Sequence, residues 1–286
     1  MSVLKIAFTD FWPEWNYENF ITPILDKHYD IVLDYKNPDV VFSSIFRRME
    51  NATPKYPKAK SILFLGENHR PALFKKDYSI SFDPQSETNF RLPLWQAYLF
   101  LWPNLKELLF TRVNHVEFKR FCSFTVSNGS NMFRNGAFDQ LTNYKRVHSY
   151  GKIRTNSLEL RKRSLGKNWQ ATYSEFFNEI PHKFALTYEN SSYPYYCTEK
   201  LMHTFLVGSI PIYWGDPKVE EDWNQEAFIN TQRLGSSWID KVKELDQDDE
   251  KFQKMYSKPI FTNEQKDKLI KNMNNFESWL VEVINK

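Results

Sequence analysis

Short, nearly unbroken apolar runs punctuate the first third of the chain at Leu4 to Phe8, Asp30 to Leu33, Asp39 to Phe42 and Ser61 to Leu65. Runs apolar on both faces predict strands of a parallel sheet covered on both sides. Between the first two, residues 19–29 have helical spacing, and residues 94–109 predict a second helix after Pro93. Cys122 to Ser127 opens another series: a helix capped by Ser130 and running to Leu141, a strand at Arg146 to His148, and a short helix at 172–178. A strand at Phe184 to Tyr188, a helix from about Thr198 to Val207 and a strand at Ile210 to Trp214 complete it. This alternation predicts an α/β protein of two similar halves with a cleft between them, because open parallel sheets bind ligands beyond the carboxyl ends of their strands. We expect domains at residues 1–117 and 118–262, followed at 263–286 by an amphipathic helix. In that helix Leu269, Met273, Phe276, Leu280 and Val283 recur every three or four residues, a stripe expected to pack back on a domain.

Composition narrows the classes. A chain of 286 residues, 41% hydrophobic, can bury two cores without covalent staples. Net charge is only +3 and no block of five like charges occurs, so a nucleic-acid partner is not predicted. The two cysteines, Cys122 and Cys197, lie outside any metal-ligand spacing, which predicts neither a disulfide framework nor a zinc site and fits a reducing compartment. No window approaches 18 uninterrupted apolar residues and the first residues lack a signal-like run, so the expectation is a cytoplasmic protein, soluble or at most peripheral at the inner membrane surface. The sequons at Asn51, Asn128 and Asn190 are then expected to be chance. Aromatic residues at 17% mean either stacking platforms for sugars or a bulky core.

The densest polar cluster is the loop Tyr188 to Lys200, between an apolar strand and an amphipathic helix. With Thr198 as its cap, that helix would present backbone N–H groups and its positive end to an anion. Lys200, a cation in the first turn, opposes the helix dipole unless an anion comes between them, and Glu199 can accept hydrogen bonds from a ribose diol. A capped helix with a solvated Glu and Lys is the plainer account of the same residues. Gly215-Asp216-Pro217 ends the next strand at the same sheet edge, as a close approach to a ligand or as a simple chain reversal. The acidic pair of Asp246-Gln247-Asp248 lies in a charged helical run and is read as a solvated face, so no metal site is predicted.

Phe184 to Lys218 also carries a resemblance. Its Glu189-Asn190-Ser191, Tyr196-Cys197-Thr198-Glu199-Lys200 and Ile210 to Gly215 segments resemble the donor signature of the α1,3-fucosyltransferases, glycosyltransferase family 10. Phe64 to Asn68, Asp77 to Asp83, Arg91 to Leu94, and Phe121 to Asn128 with Arg134 and Asn135 agree, so the resemblance spans roughly residues 60–230. It implies two Rossmann-like domains facing across a cleft, the glycosyltransferase B type. It further implies inverting transfer of fucose from GDP-fucose to a hydroxyl, O3 by expectation, of N-acetylglucosamine in a β-galactosyl-N-acetylglucosamine glycan. Carried over by position, Glu67 would be the base on the acceptor hydroxyl. Arg134, Tyr196 and Lys200 would hold the pyrophosphate, Glu199 would meet the ribose, and Asn190 would line the donor pocket. No cofactor is implied, and a divalent cation would at most stimulate. Cys197 stands where a branched aliphatic residue is usual, and Tyr193-Pro194-Tyr195 is bulkier than many versions of the loop. The membrane anchor of animal relatives and the heptad-repeat tail of some bacterial ones have no counterpart here, so membrane contact is expected to be weak or indirect. On the residues alone, two other classes stay open: a non-catalytic glycan-binding module, and a transferase for another nucleotide sugar.

Overall fold

The computed structural model describes residues 1–12, 15, 19–46, 56–115, 117–165 and 169–286, so the sequon at Asn51 lies outside the described residues. The chain divides into two units, Met1–Pro103 with Asp267–Lys286, and Asn104–Lys266.

In the first unit, β1 (Ser2–Thr9), α1 (Thr22–Leu25), β2 (Tyr29–Leu33), β3 (Val40–Ser43), β4 (Lys60–Phe64), β5 (Tyr78–Ser81), β6 (Asn89–Arg91) and α2 (Leu94–Leu101) follow in order. The strands form one sheet, β2-β1-β3-β4-β5-β6, with every neighbouring pair parallel. Ile6 pairs with both Leu33 and Val40, so β1 gives its first half to β2 and its second to β3. Ile6, Phe42, Ile62, Phe64 and Ile80 are wholly buried, as strands covered on both faces require.

Two helices and two strands differ from the expectation. The helix expected at 19–29 is a single turn, Thr22–Leu25, because the chain must leave it to start β2 at Tyr29, paired with Ser2. The helix expected at 94–109 is broken after Leu101, where Pro103 has no N–H to give and holds Trp102 out of helical geometry (φ −133°, ψ 81°). Strands β5 and β6 escaped the apolar pattern because their pairing is polar inside: the Ser79 and Ser81 hydroxyls both donate to Asn89 Oδ1 at 2.8 Å.

The second unit contains α3 (Asn104–Thr111), β7 (Arg120–Phe124), α4 (Met132–Thr142), β8 (Val147–Ser149), α5 (Glu159–Arg163), α6 (Trp169–Glu179) and β9 (His182–Tyr188). Then come α7 (Glu199–Leu206), β10 (Ile210–Trp214), β11 (Ile229–Asn230), α8 (Thr231–Leu234), α9 (Trp238–Gln247) and α10 (Asp249–Tyr256). Its sheet, β11-β10-β9-β7-β8, is again parallel throughout. After β7 the chain winds first to one side and then, from β9 on, to the other. The switch point of this doubly wound sheet therefore lies between the carboxyl ends of β7 and β9, where such folds hold their ligands. The cap of α4 is Asn131 rather than Ser130, its Oδ1 accepting from the Arg134 N–H at 3.0 Å.

The last helix, α11 (Asn263–Asn285), brings Phe276, Leu280 and Val283 into the first unit's core beside Phe20 and Phe90. Lys60 Nζ donates to its final carbonyls, Val283 at 2.6 Å and Ile284 at 2.9 Å, placing a cation at the negative helix end. Among the described residues, no helix is long and apolar enough to cross a membrane.

Candidate functional site

The site grows from the residue that follows β9. Glu189 continues the ladder through its N–H, which donates to the Trp214 carbonyl at 2.8 Å, and its side chain is wholly buried. The carboxylate accepts from the Thr198 N–H at 2.8 Å and the Thr198 hydroxyl at 2.7 Å, and Lys200 Nζ lies 3.2 Å away. Thr198 thus occupies the N-cap position of α7, but its hydroxyl is spent on Glu189 and does not cap. A buried carboxylate instead sits beside the helix start, where the dipole favours negative charge. Sequence reasoning gave Glu189 no role; the available signal was an acidic residue directly after a fully apolar strand.

Two glycines make this packing possible. A Cβ on Gly215 would stand 2.4 Å from Glu189 Cγ, so the close approach at this turn is to Glu189. A Cβ on Gly151 would stand 2.0 Å from the Val126 carbonyl oxygen, which is why the loop after β8 can lie against the loop after β7. Asp216, also buried, stitches the two neighbouring loops together, its Oδ1 accepting from the N–H groups of Tyr195 (2.6 Å) and Lys218 (2.7 Å). Tyr195 is thereby held at φ 69°, a conformation that costs a non-glycine residue about 1–3 kcal/mol.

Lys200 serves three oxygens, donating to Thr198 Oγ1 at 2.8 Å and lying 3.4 Å from the Glu199 carboxylate in addition to its pairing with Glu189. Burial pushes the Glu189 carboxyl above its ordinary range against the pull of Lys200. Burial also raises Glu199, but Lys200 and His203 outweigh it and hold that carboxyl below its usual value. The first turn of α7 therefore carries one ammonium between two carboxylates of opposite tendency.

Arg134 is 1% exposed, which excludes a solvated surface role. Its guanidinium donates to the Tyr188 carbonyl at 3.3 Å, to Asn190 Oδ1 at 3.0 Å and to the Asn128 carbonyl. Asn131 adds bonds to the carbonyls of Glu189 (3.0 Å) and Asn190 (3.2 Å), so the start of α4 and the loop after β9 form one hydrogen-bonded piece. Tyr196 is wholly buried and close enough to influence the Arg134 charge. Arg134, Asn190, Tyr196, Glu199 and Lys200 all belong to the second unit, and Glu67 to the first. Glu67 lies half-buried just beyond the carboxyl end of β4.

At the switch point of the second sheet is a cavity of about 330 Å³. Thr125, Tyr188 and Glu199 line it together with three cationic side chains, Lys152, Arg161 and Lys200. Lys152 and Arg161 were missed in the sequence because nothing local marks them; the loop after β8 delivers Lys152 only through the close pass at Gly151. The solvated face expected at Asp246-Gln247-Asp248 holds for Gln247 and in part for Asp248, whose side chain is 39% exposed, but not for Asp246. The Asp246 carboxylate is 6% exposed and takes Lys145 Nζ and the Tyr144 hydroxyl at 2.9 Å, while Asp248 caps α10. Among the described residues, no group of three His, Cys, Asp or Glu side chains is placed to hold a metal ion.

Known proteins resemble the chain in sequence and in fold. Residues 6–98 match the family described as the alpha-(1,3)-fucosyltransferase FucT N-terminal domain, and residues 117–275 match glycosyltransferase family 10 (fucosyltransferase) C-term. The chain is 27% identical over 285 residues to alpha-(1,3)-fucosyltransferase FucT of Helicobacter pylori, an alignment covering 85% of this chain. It spans only 57% of that relative's length. A crystal structure of an alpha1,3-fucosyltransferase with GDP-fucose superposes with a TM-score of 0.72 at 23% identity, covering 98% of this chain and 91% of the other. A further alpha1,3-fucosyltransferase crystal structure gives a TM-score of 0.74 at 23% identity, covering 97% and 90%. The fold is thus an α/β fold of two parallel sheets shared with these proteins.

Proposed function

The chain belongs to glycosyltransferase family 10, the fucosyltransferases, and from that premise we propose that it transfers fucose from GDP-fucose to an oligosaccharide acceptor. The acceptor we infer is the O3 hydroxyl of N-acetylglucosamine in a β-galactosyl-N-acetylglucosamine glycan, with inversion at the anomeric carbon. One observation carries the reading: the cavity at the β7–β9 switch point is lined by Lys152, Arg161 and Lys200 and bordered by the start of α7. A departing nucleoside diphosphate gathers negative charge as its bond to the sugar breaks, and cations already in place for that charge lower the barrier.

In this reading Lys200 leaves its carboxylate partners for the diphosphate, whose oxygens offer more negative charge than a shared Glu. Glu199, held ionised, accepts hydrogen bonds from the ribose hydroxyls. Asn190 borders the donor sugar. Arg134 and Tyr196 complete the diphosphate contacts, Arg134 by exchanging a carbonyl partner for a phosphate oxygen, the stronger charge-assisted acceptor. Glu67 takes the proton from the acceptor hydroxyl while that hydroxyl's oxygen bonds the anomeric carbon from the face opposite the departing GDP, whose bond to the sugar breaks, so that centre is inverted. The reading calls on no cofactor.

The test is product analysis. With GDP-fucose and β-galactosyl-N-acetylglucosamine, NMR should show one new fucosyl linkage at O3 of N-acetylglucosamine. Transfer from a uridine or adenosine sugar nucleotide instead would reassign the donor. Glycan binding without transfer, unaltered by GDP, would return the chain to the non-catalytic class.

A further inference from the structure

Lys200 and Glu199 both stand on the wall of the switch-point cavity, their side chains 28% and 23% exposed. Glu189 is placed differently. It has no exposed surface, yet its carboxylate lies 3.2 Å from Lys200 Nζ. Two carboxylates therefore attend one ammonium at the start of α7, where a diphosphate is expected to arrive. The contacts assigned to the donor give Glu199 a ribose to meet and leave the buried Glu189 without a part.

Bracing the loop does not require a charge at this position. The Thr198 N–H and hydroxyl both donate to Glu189, at 2.8 Å and 2.7 Å, and a neutral amide could accept the first and donate to the oxygen of the second. A carboxylate taken out of water is costly unless an opposite charge compensates it. Two cations come near enough to do so, Lys200 in direct contact and Arg134 through space. Arg134 already donates to the Tyr188 and Asn128 carbonyls and to Asn190 Oδ1, so Lys200 is the cation that Glu189 holds. Lys200 Nζ also donates to Thr198 Oγ1 at 2.8 Å, which leaves Glu189, Thr198 and Lys200 each joined to the other two. Gly215 keeps the room for this arrangement, since any Cβ there would stand 2.4 Å from Glu189 Cγ.

We propose that Glu189 is a positioning residue that acts through Lys200: it holds the ammonium at the cavity wall and competes with the diphosphate for it, so that GDP leaves once transfer is complete. This role deepens the transferase reading above and rests on it. Opposite charges attract more strongly where water is excluded, so an ammonium with no rival partner would release a diphosphate slowly. A carboxylate fixed on the buried side of the ammonium loosens that grip and takes Lys200 back as the product departs. Having no exposed surface, Glu189 touches the nucleotide only by way of Lys200.

Glu189→Gln tests it, because the amide keeps the size of the side chain and its bonds to Thr198 while removing the charge. Calorimetry should show GDP bound about tenfold more tightly than by the wild type, and a fluorescent GDP analogue should dissociate correspondingly more slowly in stopped flow. A residue that only braces the loop gives the opposite sign, so weaker or unchanged GDP binding overturns the proposal. Lys200→Met closes the cycle: in that background Glu189→Gln should alter GDP affinity less than about twofold, and a persisting tenfold gain would deny that the charge acts through Lys200. Glu189→Asp draws the carboxylate back by one methylene and should tighten GDP binding by a smaller factor. It decides the matter if the amide variant does not fold, and weaker or unchanged binding there overturns the proposal equally. A wild type that binds no GDP would overturn the donor reading as well, whereas GDP held by the wild type and no more tightly by either variant overturns the role of Glu189 alone.

Discussion

The first unit winds β2-β1-β3 and the second β8-β7-β9, so each sheet has a switch point beside its own first strand. The side chains described at the two differ. Near the carboxyl ends of β1 and β3, among the described residues, Phe8 stacks on Phe42 at 5.5 Å, Phe11 on Trp15 at 3.9 Å and Phe11 on Phe64 at 6.2 Å, a cluster of rings. Near the carboxyl ends of β7 and β9 stand Ser123, Thr125 and Thr187, which line the cavity together with its cations. Winding supplies a place for a ligand, and the last residues of the strands decide whether side chains fill it. In the proposed reading the second sheet's switch point takes the nucleotide and Glu67 of the first unit takes the acceptor's proton.

That division can be broken from either side. The largest effect is expected from Glu67→Gln, which should lower kcat by about 10²–10⁴-fold, the usual worth of a positioned base, with GDP affinity retained. Near-normal turnover would remove the first unit from the chemistry. Lys200→Ala should follow with about 10²–10³-fold lost from kcat and weaker GDP binding by calorimetry. An unchanged affinity would mean the diphosphate lies elsewhere. Ser127→Trp makes the second switch point resemble the first: Ser127 is exposed on the cavity wall, so a ring there should weaken GDP binding at least about tenfold without lowering the melting temperature. Gly215→Ala acts on stability, because its Cβ would collide with Glu189; we expect about 1–3 kcal/mol of destabilisation in urea titration.

The smallest effect concerns the wall behind the switch-point cavity of the second sheet, which Tyr150 lines. There Arg120 donates to the Tyr150 hydroxyl at 2.6 Å, that hydroxyl lies 2.8 Å from His182 Nε2, and His182 Nδ1 lies 2.7 Å from the Ile180 carbonyl. Burial lowers His182 to about 3 and His148 to about 4, from an ordinary value of 6.5. Both are neutral when folded, so the unfolded chain binds more protons below pH 6.5. Their contribution to stability is complete above that pH and is lost as pH falls toward 4 and then 3. Urea midpoints should decline over this window, and less steeply in His182→Gln; equal slopes would deny the buried imidazole its part.

Much of the fold is legible because buried parallel strands write themselves as apolar runs, and β1, β3, β4, β9 and β10 could be read that way. Where pairing is polar, as between Ser79, Ser81 and Asn89, the pattern has no trace of it. The donor loop was legible as a place, through Thr198, Glu199 and Lys200, but its internal logic was not. Glu189 carried no role in the sequence and Asp246 read as part of a solvated face, yet both side chains are buried among partners from distant segments; Arg134, placed at the diphosphate by resemblance alone, is buried as well. Lys152 and Arg161 reach the cavity only once β8 has docked beside β7. Local sequence marks where a helix can start; it does not record which remote charges are folded onto it.

The central claim is that the nucleotide occupies the second switch point. Crystals of the protein soaked with GDP should show the diphosphate at the carboxyl ends of β7 and β9, within hydrogen-bond distance of Lys200. Density for GDP beyond β1 and β3, or anywhere apart from the start of α7, would contradict the account.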